Sequence, residues 1–115
     1  MGDLSANFNR AEFACKCGCG FDTVDAKLID YVQQIREHFA VPITINSSCR
    51  CQEHNHAVGG RPNSQHKRGR AADIVVKGVA PQKVYDYAVK IGCAGIGNYN
   101  SFTHIDSRTK SGARW

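Results

Sequence analysis

Two segments that lie far apart in the chain constrain its fold most strongly. Residues 64–74 read SQHKRGRAADI, and residues 102–106 read FTHID. Together they offer two imidazoles, from His66 and His104, and the carboxylate of Asp73. If these three side chains share one metal ion, the fold has to bring the two segments together.

The spacing of the three residues suits a loop followed by strands. His66 and Asp73 are seven positions apart, too far for one turn of helix or for adjacent strand positions. The basic segment between them contains a glycine and suits a loop, and residues 71–76 then read as a buried strand with its polar residue near the start. His104 and Asp106 are two positions apart in a predicted strand, so their side chains point to the same face.

Zinc is the metal that these ligand types favour. Neutral imidazole and carboxylate groups are good zinc ligands, and three protein ligands with one open position are typical of a catalytic zinc site. Zinc held in this way makes hydroxide available near neutral pH and polarises a carbonyl group. The pattern therefore predicts hydrolysis of an amide bond, with zinc as the cofactor.

The two motifs resemble those of the zinc peptidases that act on bacterial cell walls. These are the D-alanyl-D-alanine carboxypeptidases and the phage or bacterial L-alanyl-D-glutamate endopeptidases, within a wider group that includes lysostaphin and the hedgehog amino-terminal domain. The pattern that carries the resemblance is S-x-H-x-x-G-x-A-x-D at residues 64–73, followed by a histidine on a later strand. The similarity extends to other segments: residues 43–50, Asn55, residues 58–60, residues 95–97 and residues 113–115. The resemblance implies that the zinc ligands are His66, Asp73 and His104.

The same resemblance implies a substrate-binding role for Arg50. In the relatives, an arginine at the matching position binds a carboxylate of the substrate, and a planar guanidinium can form two parallel hydrogen bonds to such a group. Peptidoglycan stem peptides are rich in carboxylates, so the stem peptide is the expected partner. Ser64 is a second candidate substrate-binding residue, because its hydroxyl could hydrogen-bond in the site or could only shape the loop.

The general base is where this chain departs from part of the family. Many relatives carry Glu, Asp or His two or three residues before the last zinc-binding histidine, whereas this chain has Phe102 and Ser101 there. Neither side chain can accept a proton at neutral pH. We therefore predict that Asp106, on the same strand face as His104, is the catalytic general base. The alternative role of Asp106 is to orient the imidazole of His104, as carboxylates often do for metal-binding histidines, and His54 is the next candidate base.

The chain is predicted to form one α+β zinc peptidase domain over residues 1–115, because its length leaves no room for a second core. A first helix, capped by Asp22 or Thr23, is predicted from apolar side chains at helical spacing: Val24, Leu28, Val32, Ile35 and Phe39. Strands are predicted at residues 43–47, 71–76, 94–99 and 102–106, and a second main helix begins at Pro81. The expected architecture is a small, mainly antiparallel sheet backed by two main helices, with the zinc site in a cleft on the sheet.

Three shorter segments complete this prediction. A short helix is expected over residues 52–58, ended by two glycines. Residues 61–70 read as a long polar loop that carries His66, and a metal ligand would hold such a loop in place. Residues 107–114 form a basic, polar tail, with Trp115 folded back onto the body of the domain.

Charge and hydropathy narrow the class of partner. The chain has 15 Lys and Arg residues against 10 Asp and Glu residues, which gives a net charge of +5. A mild basic excess suits an anionic cell wall, and without a basic helix stripe or an aromatic stacking platform it does not indicate nucleic-acid binding. No apolar run approaches the roughly 20 residues of a membrane helix, so stable membrane insertion is not expected. We also expect the protein to be a monomer.

The first residues of the sequence bear on where the protein acts. Residues 1–6, MGDLSA, lack the basic start and the apolar stretch of a secretory signal. We therefore expect synthesis in the cytoplasm without a signal peptide, and action in the periplasm or at the cell wall after release. A holin-type pore or cell lysis could provide that release.

Six cysteines are many for a chain of 115 residues. They occur as C-x-C-x-C at residues 15–19, as C-x-C at residues 49–51, and singly at Cys93. Zinc fingers usually have C-x₂₋₄-C spacing, whereas disulfides that link the two clusters would suit an enzyme outside the cytoplasm. A structural metal, disulfides and free thiols all stay open.

Two functions from different classes are consistent with the sequence. The first is a zinc peptidase that cuts the peptidoglycan stem peptide. Resemblance to small endolysins favours L-alanyl-D-glutamate endopeptidase activity, with D-alanyl-D-alanine carboxypeptidase activity as the near alternative. The second is a non-catalytic, zinc-stabilised module that binds the cell wall or another protein. A catalytic base beside the zinc distinguishes the two.

Overall fold

A five-stranded sheet is the centre of the fold in the computed structural model, which describes residues 3–110 and 112–115. Met1 and Gly2 of the N-terminal segment and Ser111 of the tail, which were included in the sequence predictions, lie outside the described residues. The main elements in chain order are α1 (Ala26–Phe39), β1 (Ile43–Ser47), α2 (Gln52–Ala57), β2 (Ala71–Val76), α3 (Pro81–Ile91), β3 (Gly95–Asn98), β4 (Thr103–Asp106) and β5 (Ala113–Arg114). Short 3-10 helices span Arg10–Phe13 and Gln65–Arg68.

The strands lie in the order β1-β2-β4-β3-β5. Each neighbouring pair is antiparallel except β3 and β5, which are parallel. This confirms the predicted α+β class and the mainly antiparallel sheet. Within the described residues, none of the helices combines the length and the apolar character needed to cross a membrane.

The two long helices, α1 and α3, pack against one face of the sheet. The buried residues that they contribute are Leu28, Val32 and Ile35 from α1 and Val84 and Ala88 from α3. They share one apolar core with Ala72, Ile74 and Ile105 of the sheet. Side chains alternate along a strand. Asp73, which lies between Ala72 and Ile74, therefore points to the opposite face, as do His104 and Asp106, which flank Ile105.

The first helix begins later than its apolar pattern predicts. It begins at Ala26 with Asp25 as the N-cap residue, so neither Asp22 nor Thr23 caps it. The backbone N–H of Asp25 donates to the carbonyl of Gly69 at 2.8 Å, and its carboxylate accepts a hydrogen bond from the hydroxyl of Ser107. Contacts with distant segments therefore set the start of α1, and a local pattern cannot show them.

The C-terminal tail contains a strand that its polar sequence does not predict. Ala113 pairs with Gly95 in the parallel β3–β5 ladder. Beyond it, the backbone N–H of Trp115 donates to the carbonyl of Ile96 at 3.0 Å, and the N–H of Asn98 donates to the carbonyl of Trp115 at 2.7 Å. The predicted return of Trp115 to the body of the domain is thus confirmed, by backbone pairing with β3.

Candidate metal centre

The register of β2 and β4 brings Asp73 and His104 together. Asp73 lies directly opposite His104 in this antiparallel pair, and side chains in such positions share a face of the sheet. The Nδ1 atom of His104 is 3.0 Å from Oδ1 of Asp73. Two residues that are 31 positions apart in the chain are thereby placed in contact.

His66 reaches the same point from the 3-10 helix at Gln65–Arg68. Ser64 caps this helix, since its hydroxyl accepts a hydrogen bond from the backbone N–H of His66 at 3.2 Å. The helix ends at Gly69, which has a left-handed conformation with φ of 68°. A Cβ atom there would also overlap the carbonyl oxygen of Thr23, so the glycine of the motif is needed for both its conformation and its small size. As a result, Nε2 of His66 lies 3.3 Å from Oδ1 of Asp73.

His66, Asp73 and His104 form a buried group that could hold one metal ion. One donor atom of each side chain lies within 4.8 Å of the others. The backbone carbonyl of Ser48 is 2.7 Å from Nδ1 of His66, and Oδ2 of Asp106 is 2.7 Å from Nε2 of His104. These contacts leave Nε2 of His66 and Nδ1 of His104 as donors towards Asp73. Two imidazole nitrogens and one carboxylate oxygen, with the imidazoles held by a carbonyl and a carboxylate, match the ligand chemistry of zinc.

The electrostatics of the group keep the carboxylate of Asp73 ionised. Burial acts to raise the pKa of Asp73, but hydrogen bonds with His104 and His66 outweigh it and hold that pKa well below its usual range. Burial acts to lower the pKa of His104, but hydrogen bonds to Asp106 and Asp73 outweigh it and raise that pKa. The ionised carboxylate of Asp73 and the imidazole of His104 therefore stabilise each other's charged forms at short range.

Asp106 contacts His104 on the side away from Asp73. It is fully buried, and Arg108 donates to its two oxygens from Nε and Nη2 at 2.8 and 2.7 Å. Burial acts to raise the pKa of Asp106, but the hydrogen bonds from Arg108 and His104 hold it well below its usual range. The sequence prediction did not include Arg108, although it lies only two residues after Asp106 in the chain.

Gly95 and Gly97 make room for this arrangement on β3. Gly95 lies opposite Asp106, and a Cβ atom at Gly95 would overlap the Asp106 carboxylate. A Cβ atom at Gly97 would lie 2.5 Å from Nε1 of Trp115. Residues 95–97, which carry part of the family resemblance, thus have a steric reason for their two glycines.

Arg50 lies beside the group, on the segment that follows β1. Its Nη2 atom is 3.3 Å from Oδ2 of Asp73, and its Nε atom donates to the hydroxyl of Ser47 at 3.0 Å. Its Nη1 atom is 3.4 Å from Oδ1 of Asn55. The side chain is 15% exposed and lines the cleft that contains His66, Asp73 and His104. The structure thus places Arg50 between Asp73 and the open space of the cleft.

The cleft has a volume of about 580 Å³, within the range of small-ligand sites. Its wall combines three guanidinium groups with three aromatic rings: Arg50, Arg61 and Arg108 with Tyr99, Phe102 and Trp115. The rings of Tyr99 and Phe102 stack with their centroids 4.5 Å apart, and Nε1 of Trp115 donates to the hydroxyl of Tyr99 at 2.8 Å. Ser64 also lines the cleft, whereas His54 is not among the described residues that do so. The sequence prediction missed the aromatic wall because Trp115 comes from the C-terminal tail, which is separate in sequence from Tyr99 and Phe102.

The family model described as Peptidase M15 matches residues 6–106. This span contains the candidate metal ligands His66, Asp73 and His104, together with Asp106 and Arg50. A search of curated proteins finds no match.

Proposed function

Because the chain belongs to the Peptidase M15 family, whose members are zinc-dependent peptidases of peptidoglycan, we propose that it cleaves the L-alanyl-D-glutamate bond of the stem peptide. The observation that carries this proposal is the convergence of His66, Asp73 and His104 in a cleft with basic walls. A small mainly antiparallel sheet that holds ligands on one face and a core on the other provides a rigid base for such a site.

His66, Asp73 and His104 would hold the zinc ion. When bound, zinc supplies Lewis acidity that polarises an amide carbonyl and makes water a better nucleophile near neutral pH. The carbonyl of Ser48 and the carboxylate of Asp106 keep the two imidazoles in one orientation and one tautomer each. The chain thereby fixes its ligands before any substrate enters.

The basic wall of the cleft supports the proposal that the substrate carries carboxylates. Arg50 is the proposed contact for one of them, since a guanidinium can hold a carboxylate by two parallel hydrogen bonds. Ser64 is the proposed second contact, because its hydroxyl accepts a bond from the N–H of His66 and keeps its own proton for a substrate oxygen. The D-glutamate residue of a stem peptide provides the negative charge that such a wall would bind.

The general-base role of Asp106 remains a prediction, and the contacts of Asp106 favour the alternative. The carboxylate is fully buried, and both oxygens are already bonded, to Arg108 and His104. A base must reach the attacking water within hydrogen-bond distance or through one further water. We therefore propose that Asp106 positions His104, a role that a metal-affinity measurement separates from that of a base.

We propose that the protein acts as a monomer in the periplasm or at the cell wall. Release through a holin-type pore or by cell lysis would bring it to that location. The wall itself is the only macromolecular partner that this proposal requires.

Digestion of purified peptidoglycan tests the proposed bond. We expect new amino-terminal D-glutamate and new carboxyl-terminal L-alanine, both identified by mass spectrometry of the products. Release of free D-alanine would instead support D-alanyl-D-alanine carboxypeptidase activity. Binding to the wall without new termini would support the non-catalytic module. The His66→Ala variant should give no products, and His56→Ala, which changes an exposed histidine of α2, is the matched control.

A further inference from the structure

Four cysteines outside the cleft form a second compact group. Cys15, Cys17 and Cys19 of the N-terminal segment meet Cys51, which precedes α2, and their sulfur atoms all lie within 4.8 Å of one another. Cys51 is the N-cap residue of α2. The chain between Cys19 and Cys51 contains α1 and β1, so this group closes a long loop.

The separations between the sulfur atoms fit a shared metal ion better than a disulfide. The distance is 3.4 Å between Cys15 and Cys17, and 3.6 Å between Cys17 and Cys51. A disulfide needs a separation of about 2.05 Å. Four sulfur atoms placed tetrahedrally at about 2.3 Å from zinc lie about 3.8 Å from one another. The observed separations of 3.4 and 3.6 Å are close to the sulfur–sulfur distance around a zinc ion.

The backbone around the group donates hydrogen bonds to sulfur. The N–H of Cys51 donates to Sγ of Cys15 at 3.4 Å, and the N–H of His54 donates to Sγ of Cys51 at 3.4 Å. The N–H of Cys15 donates to the carbonyl of Phe21 at 2.8 Å, and the N–H of Gly18 donates to the carbonyl of Cys15 at 3.2 Å. These backbone bonds fold the C-x-C-x-C segment into a closed loop. The loop gathers three sulfur atoms despite their short spacing in the sequence.

We propose that Cys15, Cys17, Cys19 and Cys51 bind a second zinc ion, separate from the cleft, with a structural role. Four cysteine ligands leave no open position for a substrate, as in other structural zinc sites. The ion would tie the N-terminal segment to the residues that follow β1. Those residues position the cleft: the N–H of Arg50 donates to the carbonyl of His66 at 3.0 Å, and the carbonyl of Ser48 contacts the His66 ring.

Metal analysis of the full chain with the cleft ligand removed tests the proposal. The His66→Ala variant, purified under anaerobic, reducing conditions with zinc, should retain about one zinc ion per chain. A mercurial thiol reagent should release all of it. Adding Cys17→Ser and Cys19→Ser to the same background should reduce zinc to a trace. Adding Cys93→Ala instead should leave the zinc content unchanged, since that cysteine is buried in the apolar core.

Cobalt substitution gives a readout that does not depend on which cleft residues bind metal. Cobalt(II) in the His66→Ala variant should show the intense sulfur-to-metal charge-transfer absorption of a site with several thiolates, and the Cys17→Ser, Cys19→Ser variant should lose it. In the chain without substitutions, the thiol reagent should release one of the two zinc ions. This measurement tests the second site even if the His66→Ala variant fails to fold.

Three results would overturn this second site. They are zinc content that is unaffected by the two serine substitutions, cobalt spectra without thiolate absorption, and a disulfide within the group, detected by mass spectrometry of the unreduced protein. Each of them leaves the peptidase proposal intact, because they concern residues outside the cleft. Equally, failure to cut peptidoglycan would leave the thiol-bound zinc ion in place.

Discussion

At the scale of single residues, one hydrogen bond to each imidazole decides which nitrogen faces Asp73. The Ser48 carbonyl holds Nδ1 of His66, and Asp106 holds Nε2 of His104, both at 2.7 Å. The two histidines therefore offer opposite ring nitrogens to the same carboxylate. Because each contact involves a different residue, single substitutions can measure what each residue contributes to zinc binding and to hydrolysis.

Replacement of His66 by alanine should remove the cleft zinc. Two remaining ligands hold zinc much more weakly than three, so zinc content should fall by about one ion per chain and hydrolysis of peptidoglycan should become undetectable. Atomic absorption and product analysis measure the two effects, with His56→Ala as the control. Equal zinc in His66→Ala and in the unchanged protein would remove His66 from the ligand set.

Replacement of Asp106 by asparagine separates positioning from proton transfer. If Asp106 positions His104, the affinity for zinc should fall about 10–100-fold, and excess zinc should restore much of the activity. Competition with a chromogenic chelator measures the affinity, and turnover at saturating zinc measures the recovery. Unchanged zinc affinity with hydrolysis still lost at saturating zinc would instead establish Asp106 as the general base.

Replacement of Arg50 by lysine should weaken substrate binding more than folding. The charge is kept, but the two parallel bonds to a carboxylate are lost. Loss of a charged hydrogen bond costs about 1.5–3 kcal/mol, so kcat/KM should fall about 10–100-fold, while thermal unfolding changes little. Arg68→Lys, which changes an exposed arginine outside the cleft wall, is the control. If Arg50→Lys and Arg68→Lys cleave equally well, Arg50 is not a substrate contact.

At the scale of helices and strands, local patterns predicted the elements but not their partners. The alternation and β-branched residues of β1 and the apolar run of β2 are properties of neighbouring residues, and both strands occur where predicted. The pairing of β2 with β4, which places Asp73 opposite His104, joins segments on either side of α3 and depends on the whole core. The predicted loop around His66 forms a 3-10 helix, which is too short to show a periodic pattern.

Prediction of the site is limited in the same way, to features that are local in the sequence. The two motifs identify residues that the structure brings together, because each motif is contiguous in the sequence. The contact between the Ser48 carbonyl and His66 has no sequence signal, since every residue carries a backbone carbonyl. The aromatic wall depends on the return of Trp115 along β3, and a two-residue strand in a polar tail cannot be recognised from composition.

Replacement of Gly95 by alanine should damage the site through the neighbouring strand. The added methyl group would overlap the Asp106 carboxylate, and overpacking of this kind costs about 1–3 kcal/mol. We expect a lower melting temperature and weaker zinc binding. The test is a double-mutant cycle with Asp106→Ala, which removes the overlapping group. If Gly95→Ala destabilises the Asp106→Ala background by the same amount, the overlap is not the cause.

At the scale of the whole molecule, metal removal should abolish activity and reduce stability together. Dialysis against a strong chelator should eliminate hydrolysis, and zinc should restore it, whereas magnesium should not, because magnesium prefers oxygen ligands and octahedral geometry. The melting temperature should also fall, since a metal that binds only the folded chain stabilises it. Activity that survives complete removal of zinc, verified by metal analysis, would contradict the proposed mechanism.

The ligand-bearing strands and the cleft wall belong to different parts of the chain, and this has a consequence for how such a protein can diversify. Asp73 and His104 lie on paired strands in the middle of the sheet, whereas Arg61, Tyr99 and Trp115 lie outside the regular strands that border them. Surface loops tolerate sequence change better than the strands that they connect. Exchange of these loops between homologues could therefore produce enzymes that attack different cell walls while the inherited metal chemistry stays the same.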